Sequence, residues 1–186
     1  MIQLKENLEP STALAPVPVV LVSCGTMEEA NICTIAWTGV LNSNPPLVYV
    51  SIRPSRYSYE IIKQSGEFVI NLPNEELAYQ TDYCGTKSGS KEDKFETAGL
   101  TKEASTLVKA PAIAECPINL ECKLVEIKEF SSHHMFIGEI IAVKADKSLV
   151  DEKGKIDYLS GNLLAYVGNN YVVANNKVAS RGICLQ

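Results

Sequence analysis

The chain has 186 residues, of which 46% are apolar and 21% charged, and its formal net charge is −5. This length and composition are typical of a globular protein, and residues 1–186 are predicted to form a single domain with a substantial core. The acidic charge argues against a general nucleic-acid-binding surface. The longest apolar run, Ala15 to Val22, is too short to span a bilayer, so no membrane segment is predicted.

The N-terminus and the cysteines indicate the compartment. The first ten residues, MIQLKENLEP, are charged and lack the apolar core of a signal peptide, which predicts a cytoplasmic protein. No pair among the six cysteines has the C-x-x-C spacing of a zinc ribbon or a thioredoxin-like site. In a reducing compartment we expect free thiols, several of them packed as small apolar groups. Cys84, between Tyr83 and Gly85, has the least core-like surroundings.

The first predicted elements are strands with short connections. Val17 to Ser23 is an apolar run typical of a buried strand, and Asn31 to Thr38 follows as a second strand with two distinct faces. Gly39 to Pro46, GVLNSNPP, is predicted to be a loop because its two prolines cannot continue a hydrogen-bonded ladder. Leu47 to Ile52 is the third predicted strand.

The segment Val48 to Gly66, VYVSIRPSRYSYEIIKQSG, combines a strand, a sharp turn and a helix. Ser55 is predicted to be the helix N-cap, and Gly66 is predicted to end the helix. Arg53 and Arg56, two of the three arginines in the chain, flank the predicted cap. Helix N–H groups, the helix dipole and two guanidinium groups would converge there, which is the chemistry of a phosphate site. The alternative interpretation is two solvated arginines on a surface turn.

The rest of the chain continues as strands with few, short helices. Long crossovers between strands are mostly absent, which argues against a parallel βαβ arrangement and favours a closed or sandwiched antiparallel barrel. The further predicted elements are a strand at Glu67 to Leu72, a short helix at Glu75 to Tyr83, an exposed mobile loop at Cys84 to Asp93, one short helix within Lys94 to Leu107, two strands within Ala112 to Glu129 broken at Pro117, a strand at His134 to Val143 that is bulged or closely approached at Gly138, and short late elements at Leu163 to Val167 and Tyr171 to Val173.

Common catalytic motifs are missing from the sequence. The chain has no G-x-G-x-x-G or Walker sequence after a strand, and it has no G-x-S-x-G elbow. His133 and His134 are the only histidines, and adjacent strand residues point to opposite faces, so no metal site is predicted. A surface or hydrogen-bonded histidine is the default interpretation, with one histidine near a ligand as the alternative. Trp37, the only tryptophan, is interpreted either as a core residue or as part of a pocket.

Five segments occur in a characteristic order and spacing. They are Asn31-Ile-Cys-Thr-Ile-Ala-Trp-Thr, Ser43-Asn-Pro-Pro, Ser51-Ile-Arg-Pro-Ser-Arg, Phe68-Val-Ile-Asn-Leu and His133-His-Met-Phe-Ile-Gly-Glu-Ile. Together they resemble the flavin reductase-like proteins with an FMN-binding split barrel, and most closely the flavoredoxin branch. The resemblance covers about residues 16–171. It implies a mainly β fold with few short helices, an antiparallel split β-barrel, a homodimer, and FMN bound non-covalently near the subunit interface.

The resemblance also assigns site residues by position. Those along the flavin ring and ribityl chain would be Thr34, Ala36 and Trp37, and those that hold the phosphate would be Ser51, Arg53, Ser55 and Arg56. Those that approach the ring or close the site would be Ser88, Gly89, Lys94 and Tyr166. His133 matches the histidine of the family's G-D-H pattern, although Ser131 and Ser132 replace the Gly-Asp.

The resemblance implies an FMN-dependent oxidoreductase. Electrons would come from NAD(P)H or a protein donor and pass to free flavin, ferric complexes or another redox protein. A reductase needs room for nicotinamide on the flavin ring, whereas an electron carrier needs only an exposed ring edge, and the sequence does not separate the two. Two alternatives are a non-catalytic FMN-binding module, such as a sensor or flavin reservoir, and a barrel that binds another phosphorylated ligand.

Overall fold

The computed structural model describes residues 4–185, so residues 1–3 and 186 of the predicted domain lie outside the described part. The strands, in chain order, are β1 (Val17–Pro18), β2 (Val20–Gly25), β3 (Ala30–Ile35), β4 (Thr38–Ser43), β5 (Pro46–Ile52), β6 (Glu67–Leu72), β7 (Lys102–Glu103), β8 (Ala112–Ile113), β9 (Ile118–Glu129), β10 (His134–Ala145), β11 (Leu164–Val167) and β12 (Asn170–Val173). The α-helices are α1 (Tyr57–Ser65), α2 (Ala78–Thr86) and α3 (Lys94–Ala98). Within residues 4–185, no helix combines the length and apolar character needed to cross a membrane.

A seven-stranded antiparallel sheet forms the body of the protein. Its strand order is β3-β2-β6-β9-β10-β5-β4. The edge strands β3 and β4 are joined by only Ala36 and Trp37 in the chain, yet no ladder pairs them in the described part of the structure. The barrel is therefore split at this connection. The predicted mainly β fold with an antiparallel split barrel is confirmed.

Apolar side chains cover both faces of this sheet, one in the barrel interior and one beneath the helices. Val20 and Val22 of β2 point into the interior, where they pack with Phe68 and Phe136. Leu21, between them, belongs to a second apolar cluster, in which residues of α2 and α3 cover the outer face. Because β2 is buried on both faces, its sequence is a continuous apolar run rather than an alternating one.

A smaller sheet, ordered β1-β11-β12, stands beside the barrel. Tyr166 in β11 pairs with Val17 of β1 on one side and with Tyr171 of β12 on the other. Gly168 and Asn169 connect β11 to β12 with φ values of 48° and 70°. Positive φ at both central residues is the geometry of a tight two-residue hairpin turn, which keeps the two tyrosines in register.

The structure corrects one of the strand predictions, at the connection between β3 and β5. The predicted loop Gly39 to Pro46 is wrong, because residues 38–43 form β4 and Pro46 begins β5. β4 lies at an edge of the sheet, and prolines are tolerated at edges and at the first residue of a strand.

The bulge at Gly138 is confirmed by a register shift in the β9–β10 ladder. A Cβ at Gly138 would lie 2.6 Å from Phe68 Cζ, so this position needs glycine.

The start of α1 also differs from the prediction. Ser55 is not the N-cap; Arg56 occupies that position with extended backbone, and no side chain caps the helix. Arg56 N donates a hydrogen bond to Arg53 O at 2.9 Å, so a turn precedes the helix and delays its start. Gly66 ends α1 in the left-handed conformation, with φ 68°, as predicted.

Candidate functional site

A cleft of about 710 Å³ lies where the barrel is split, bounded by the end of β3, the β5–α1 turn, α2 and the small sheet. All twelve site residues expected from the sequence line this one cleft: Thr34, Ala36, Trp37, Ser51, Arg53, Ser55, Arg56, Ser88, Gly89, Lys94, His133 and Tyr166. The fold therefore brings together residues that are up to 132 positions apart in the chain, from Thr34 to Tyr166. Their contacts with a ligand remain predictions.

The β5–α1 turn forms the most polar part of the cleft. β5 ends at Ile52 and α1 begins at Tyr57, so the intervening turn places Arg53, Ser55 and Arg56 beside the helix start. The first N–H groups of a helix have no partner within the helix, and the helix dipole adds partial positive charge there. Helix start and guanidinium groups together favour an anion at this end of the cleft.

The side chains that line the cleft carry more positive than negative charge. The charged residues are Arg53, Arg56, Lys87, Lys94 and Asp82, in a chain whose net charge is −5. Lys94 is only 3% exposed, and its Nζ donates to the carbonyl oxygens of Cys84 at 2.8 Å and Lys87 at 3.1 Å. Burial lowers the pKa of Lys94. The cleft is thus a local cationic region on an acidic protein, which favours anionic ligands.

His133 lies between Arg53 and Trp37. Arg53 Nε donates to His133 Nε2 at 3.2 Å, and the ring centroids of His133 and Trp37 are 4.5 Å apart. Because Nε2 accepts a hydrogen bond, the neutral ring carries its proton on Nδ1, which donates to Ser132 Oγ at 3.0 Å. Burial, followed by the charges of Arg53 and Arg56, lowers the pKa of His133. A neutral imidazole therefore links the arginine to the tryptophan ring.

His134 faces away from the cleft. Its Nδ1 lies 2.7 Å from Tyr59 Oη, and the two rings meet edge to face at 5.3 Å. The two histidines therefore point to opposite sides, as predicted from strand geometry. Across residues 4–185, no three His, Cys, Asp or Glu side chains are grouped so that they could hold a metal ion.

The loop after α2 approaches β3 closely. A Cβ at Gly89 would lie 1.9 Å from Asn31 Oδ1 and 3.2 Å from the ring of Tyr57, so any side chain at position 89 would collide. Asn31 is itself buried, and its Nδ2 donates to Ser58 Oγ at 2.6 Å. Glycine at position 89 thus lets the loop backbone reach the cleft beside the start of α1.

Two cysteines lie at the cleft, and the prediction for one of them is wrong. Cys84 was expected to be the least core-like cysteine, but it is 1% exposed, because α2 continues to Thr86 and turns this side chain towards Leu21 and Phe95. Burial raises the pKa of Cys84 to about 11. Burial also raises the pKa of Cys33, which lines the cleft. Both groups therefore stay as poorly reactive thiols near neutral pH.

Several cleft residues were not identified from the sequence. They include Asn31, Cys33, Ser58, Asp82, Cys84 and Tyr171. Asn31 and Cys33 fall within the segment that carried the family resemblance, so their position was a usable signal. Asp82 and Tyr171 gave no signal, because their contact joins residues 89 positions apart in the chain.

Both sequence and fold match known proteins. The family model described as the flavin reductase like domain matches residues 12–173. An uncharacterised protein of Archaeoglobus fulgidus is 40% identical over 145 residues, which cover 78% of this chain and 81% of that protein. The solved structure of flavoredoxin from Desulfovibrio vulgaris (Miyazaki F) has a TM-score of 0.91 and 32% identity, covering 98% of this chain and 100% of that one. Flavoredoxin from Methanosarcina acetivorans has a TM-score of 0.86 and 31% identity, with coverage of 98% and 100%.

Proposed function

The chain belongs to the flavin reductase-like family, and from this membership and the geometry of the cleft we propose that it is an FMN-binding oxidoreductase. The family predicted from the sequence is thereby confirmed. The proposed activity is transfer of electrons from NAD(P)H or a redox protein, through bound FMN, to an acceptor. The observation that carries the proposal is one cleft that is lined both by Arg53 and Arg56, at the start of α1, and by the aromatic ring of Trp37.

The β5–α1 turn fits the phosphate of FMN. That phosphate is close to doubly negative at neutral pH. Each guanidinium of Arg53 and Arg56 can donate charge-assisted hydrogen bonds of roughly 1.5–3 kcal/mol. The helix start adds about 0.3–1 kcal/mol, and the hydroxyls of Ser51 and Ser55 are further donors at the same turn. These groups would anchor one end of the cofactor.

The remainder of the cleft fits the ribityl chain and the flavin ring. Thr34, Ala36 and Trp37 line this part of the cleft. Thr34 Oγ1 donates a hydrogen bond to Thr81 O at 2.5 Å, which fixes the Thr34 side chain. Trp37 keeps 43% of its surface exposed, so an aromatic face is available for contact. Bound FMN would supply the redox chemistry, and the protein would set its position and its access to solvent. Lys94 would place a buried positive charge beside the site.

We further propose that the protein acts as a homodimer in the cytoplasm. Val40 and Leu41, on the edge strand β4, are 78% and 45% exposed and continue the exposed surface of Trp37 along the chain. An apolar edge of this kind favours association with a second copy. The free cysteines agree with a reducing compartment. Light scattering should give roughly twice the chain mass of 20.3 kDa, and a monomer that still binds FMN would overturn the dimer.

An absorbance experiment tests the function. Apoprotein mixed with FMN and separated from free flavin should be yellow, and the colour should bleach when NADH or NADPH is added without oxygen. Bleaching by a reduced redox protein but by neither nucleotide would favour an electron carrier that takes electrons from a protein. FMN binding without any exchange of electrons with donors or acceptors would favour the non-catalytic module. Failure to retain FMN would overturn the proposal.

A further inference from the structure

A hydrogen bond joins α2 to the small sheet at the edge of the cleft. Tyr171 Oη on β12 donates to Asp82 Oδ1 on α2 at 3.2 Å, and both residues line the cleft. The other side-chain hydrogen bonds of the β11–β12 hairpin stay within the hairpin. Within residues 4–185, the Tyr171–Asp82 contact is therefore the side-chain hydrogen bond that ties residues 164–173 to the rest of the protein.

Tyr171 and Tyr166 form an aromatic pair on the two strands of the hairpin. They are cross-strand partners, and their ring centroids are 5.5 Å apart. Tyr166 Oη donates to Asn169 Oδ1 at 3.1 Å, so its hydroxyl is bonded inside the same hairpin and not to the barrel. The position of Tyr166 along the cleft therefore depends on Tyr171 as well as on the pairing of Tyr166 with Val17 of β1.

The backbone holds this hairpin at a limited number of points. β12 is the outer strand of the small sheet, and β1 pairs with β11 over only two residues, Val17 and Pro18. Leu164 N donates to Pro73 O at 3.0 Å at the base of the hairpin. An element with few tertiary contacts opens more readily than the core. A side-chain bond at the cleft end of the hairpin is therefore expected to affect the hairpin's position.

Tyr171 remains a hydrogen-bond donor over the working pH range. Burial, and then the neighbouring charge of Asp82, raises the pKa of Tyr171 to about 12. The phenol therefore keeps its proton near neutral pH and donates it to the carboxylate. Among the cleft-lining side chains within residues 4–185, Asp82 is also the one carboxylate.

We propose that Asp82 is a positioning residue, which acts through Tyr171 to hold Tyr166 against the cleft and so slows the release of a flavin bound there. The inference rests on the proposed function, because it assumes that the cleft holds FMN. Asp82 acts through the hydrogen bond and not through contact with the flavin. Loss of the bond should free the hairpin while leaving the barrel and the β5–α1 turn intact.

Four variants separate the bond from other effects. Tyr171→Phe removes only the hydroxyl, and Asp82→Ala removes the acceptor. Asp82→Asn removes the charge but keeps an oxygen that accepts the bond. Tyr79→Phe is the matched control, because Tyr79 lies on the same helix, is 71% exposed and does not line the cleft.

Hydrogen exchange of the apoprotein gives the first readout and needs no flavin. Peptides covering residues 164–173 should exchange about two- to ten-fold faster in Tyr171→Phe and Asp82→Ala, in line with the loss of one solvent-accessible hydrogen bond. Asp82→Asn and Tyr79→Phe should match the wild type. Unchanged exchange in Tyr171→Phe would overturn the inference, whatever the protein binds.

The rate of FMN dissociation gives the second readout. It should rise about two- to ten-fold in Tyr171→Phe and Asp82→Ala, and the double variant should be no worse than either single variant, because both remove the same bond. Visible circular dichroism of the bound flavin should change in these two variants. The spectrum of Asp82→Asn should match that of the wild type. Equal effects of Asp82→Ala and Asp82→Asn, with none in Tyr171→Phe, would mean that the charge matters and would overturn the inference. A wild-type protein that does not bind FMN would instead overturn the proposed function.

Discussion

Arg53 and His133 share a hydrogen bond that exists only while the imidazole is neutral. Nε2 of His133 accepts from Arg53 Nε at 3.2 Å, and protonation of Nε2 would replace this acceptor with a second positive charge. The neutral ring thus holds the guanidinium at the β5–α1 turn, close to Arg56. It also couples the orientation of a proposed phosphate-binding group to the pH of the solution.

This coupling predicts a pH-dependent contribution of His133 to stability. The pKa of His133 is lowered in the folded state, so between that value and the ordinary value of about 6.5 the unfolded chain binds more protons. The free energy of unfolding therefore falls as the pH drops through this interval. Urea unfolding should show that the stability of the wild type relative to His133→Gln increases as the pH rises towards about 7. A difference that does not vary with pH would contradict the prediction.

Fluorescence of Trp37 should report flavin binding directly. Trp37 is the only tryptophan in the chain, it lines the cleft, and it is 43% exposed. Titration of the apoprotein with FMN should quench its emission strongly. Substitution of Arg53 by Ala should shift the titration midpoint to higher FMN and leave the final quenching unchanged. Unaltered emission at saturation would place the flavin away from Trp37.

The reactivity of the six thiols should follow their burial. Cys184 is exposed, and the other five cysteines are buried, so one thiol per chain should react rapidly with a disulfide reagent under native conditions. Cys184→Ser should abolish the rapid phase, and modification of Cys184 should leave FMN binding intact. A second rapid thiol, combined with loss of flavin reduction, would make Cys84 or Cys33 a redox candidate.

Substitution of Gly138 should destabilise the barrel. A Cβ at this position would lie 2.6 Å from Phe68 Cζ and 3.2 Å from Cys122 Cβ, inside the core. Gly138→Ala is expected to cost about 1–3 kcal/mol of unfolding free energy through overpacking. Phe68→Leu removes the ring that collides, so the double variant should lose less stability than the sum of the two single variants. Additive losses in urea unfolding would show that the collision is not the cause.

Local sequence patterns predicted the elements whose apolar residues face the core. They failed for elements whose existence or length depends on tertiary contacts. The predicted bounds of β6, Glu67 to Leu72, match the structure because all of its central residues are buried. The two prolines predicted a loop at β4, and its last four residues are exposed, so no alternating apolar face opposed that prediction. Cys84 was misjudged because the length of α2 depends on packing against the barrel and not on a local stop signal.

The candidate site shows the same division. The β5–α1 turn was predicted from the spacing of Arg53 and Arg56 around a strand end and a helix start, which is local information. The resemblance supplied Trp37, His133 and Tyr166, whose convergence on one cleft depends on the whole fold. Contacts such as the one between Asp82 and Tyr171 require the three-dimensional arrangement of a helix and a distant hairpin, which no spacing in the sequence specifies.

Substitution of Arg53 or Arg56 by Ala should weaken FMN binding by about one to two powers of ten, the loss of one charge-assisted contact to phosphate. Riboflavin lacks the phosphate, so it should bind the wild type poorly and be nearly indifferent to either change. The double substitution need not be additive, because both arginines would contact one anion. Arg181→Ala is the matched control, since this arginine is exposed and does not line the cleft. Equal losses for FMN and riboflavin in a binding titration would show that the arginines do not recognise the phosphate. Unchanged FMN affinity in both variants would mean that the two arginines are solvated surface charges, and the proposed function would lose its main physical support.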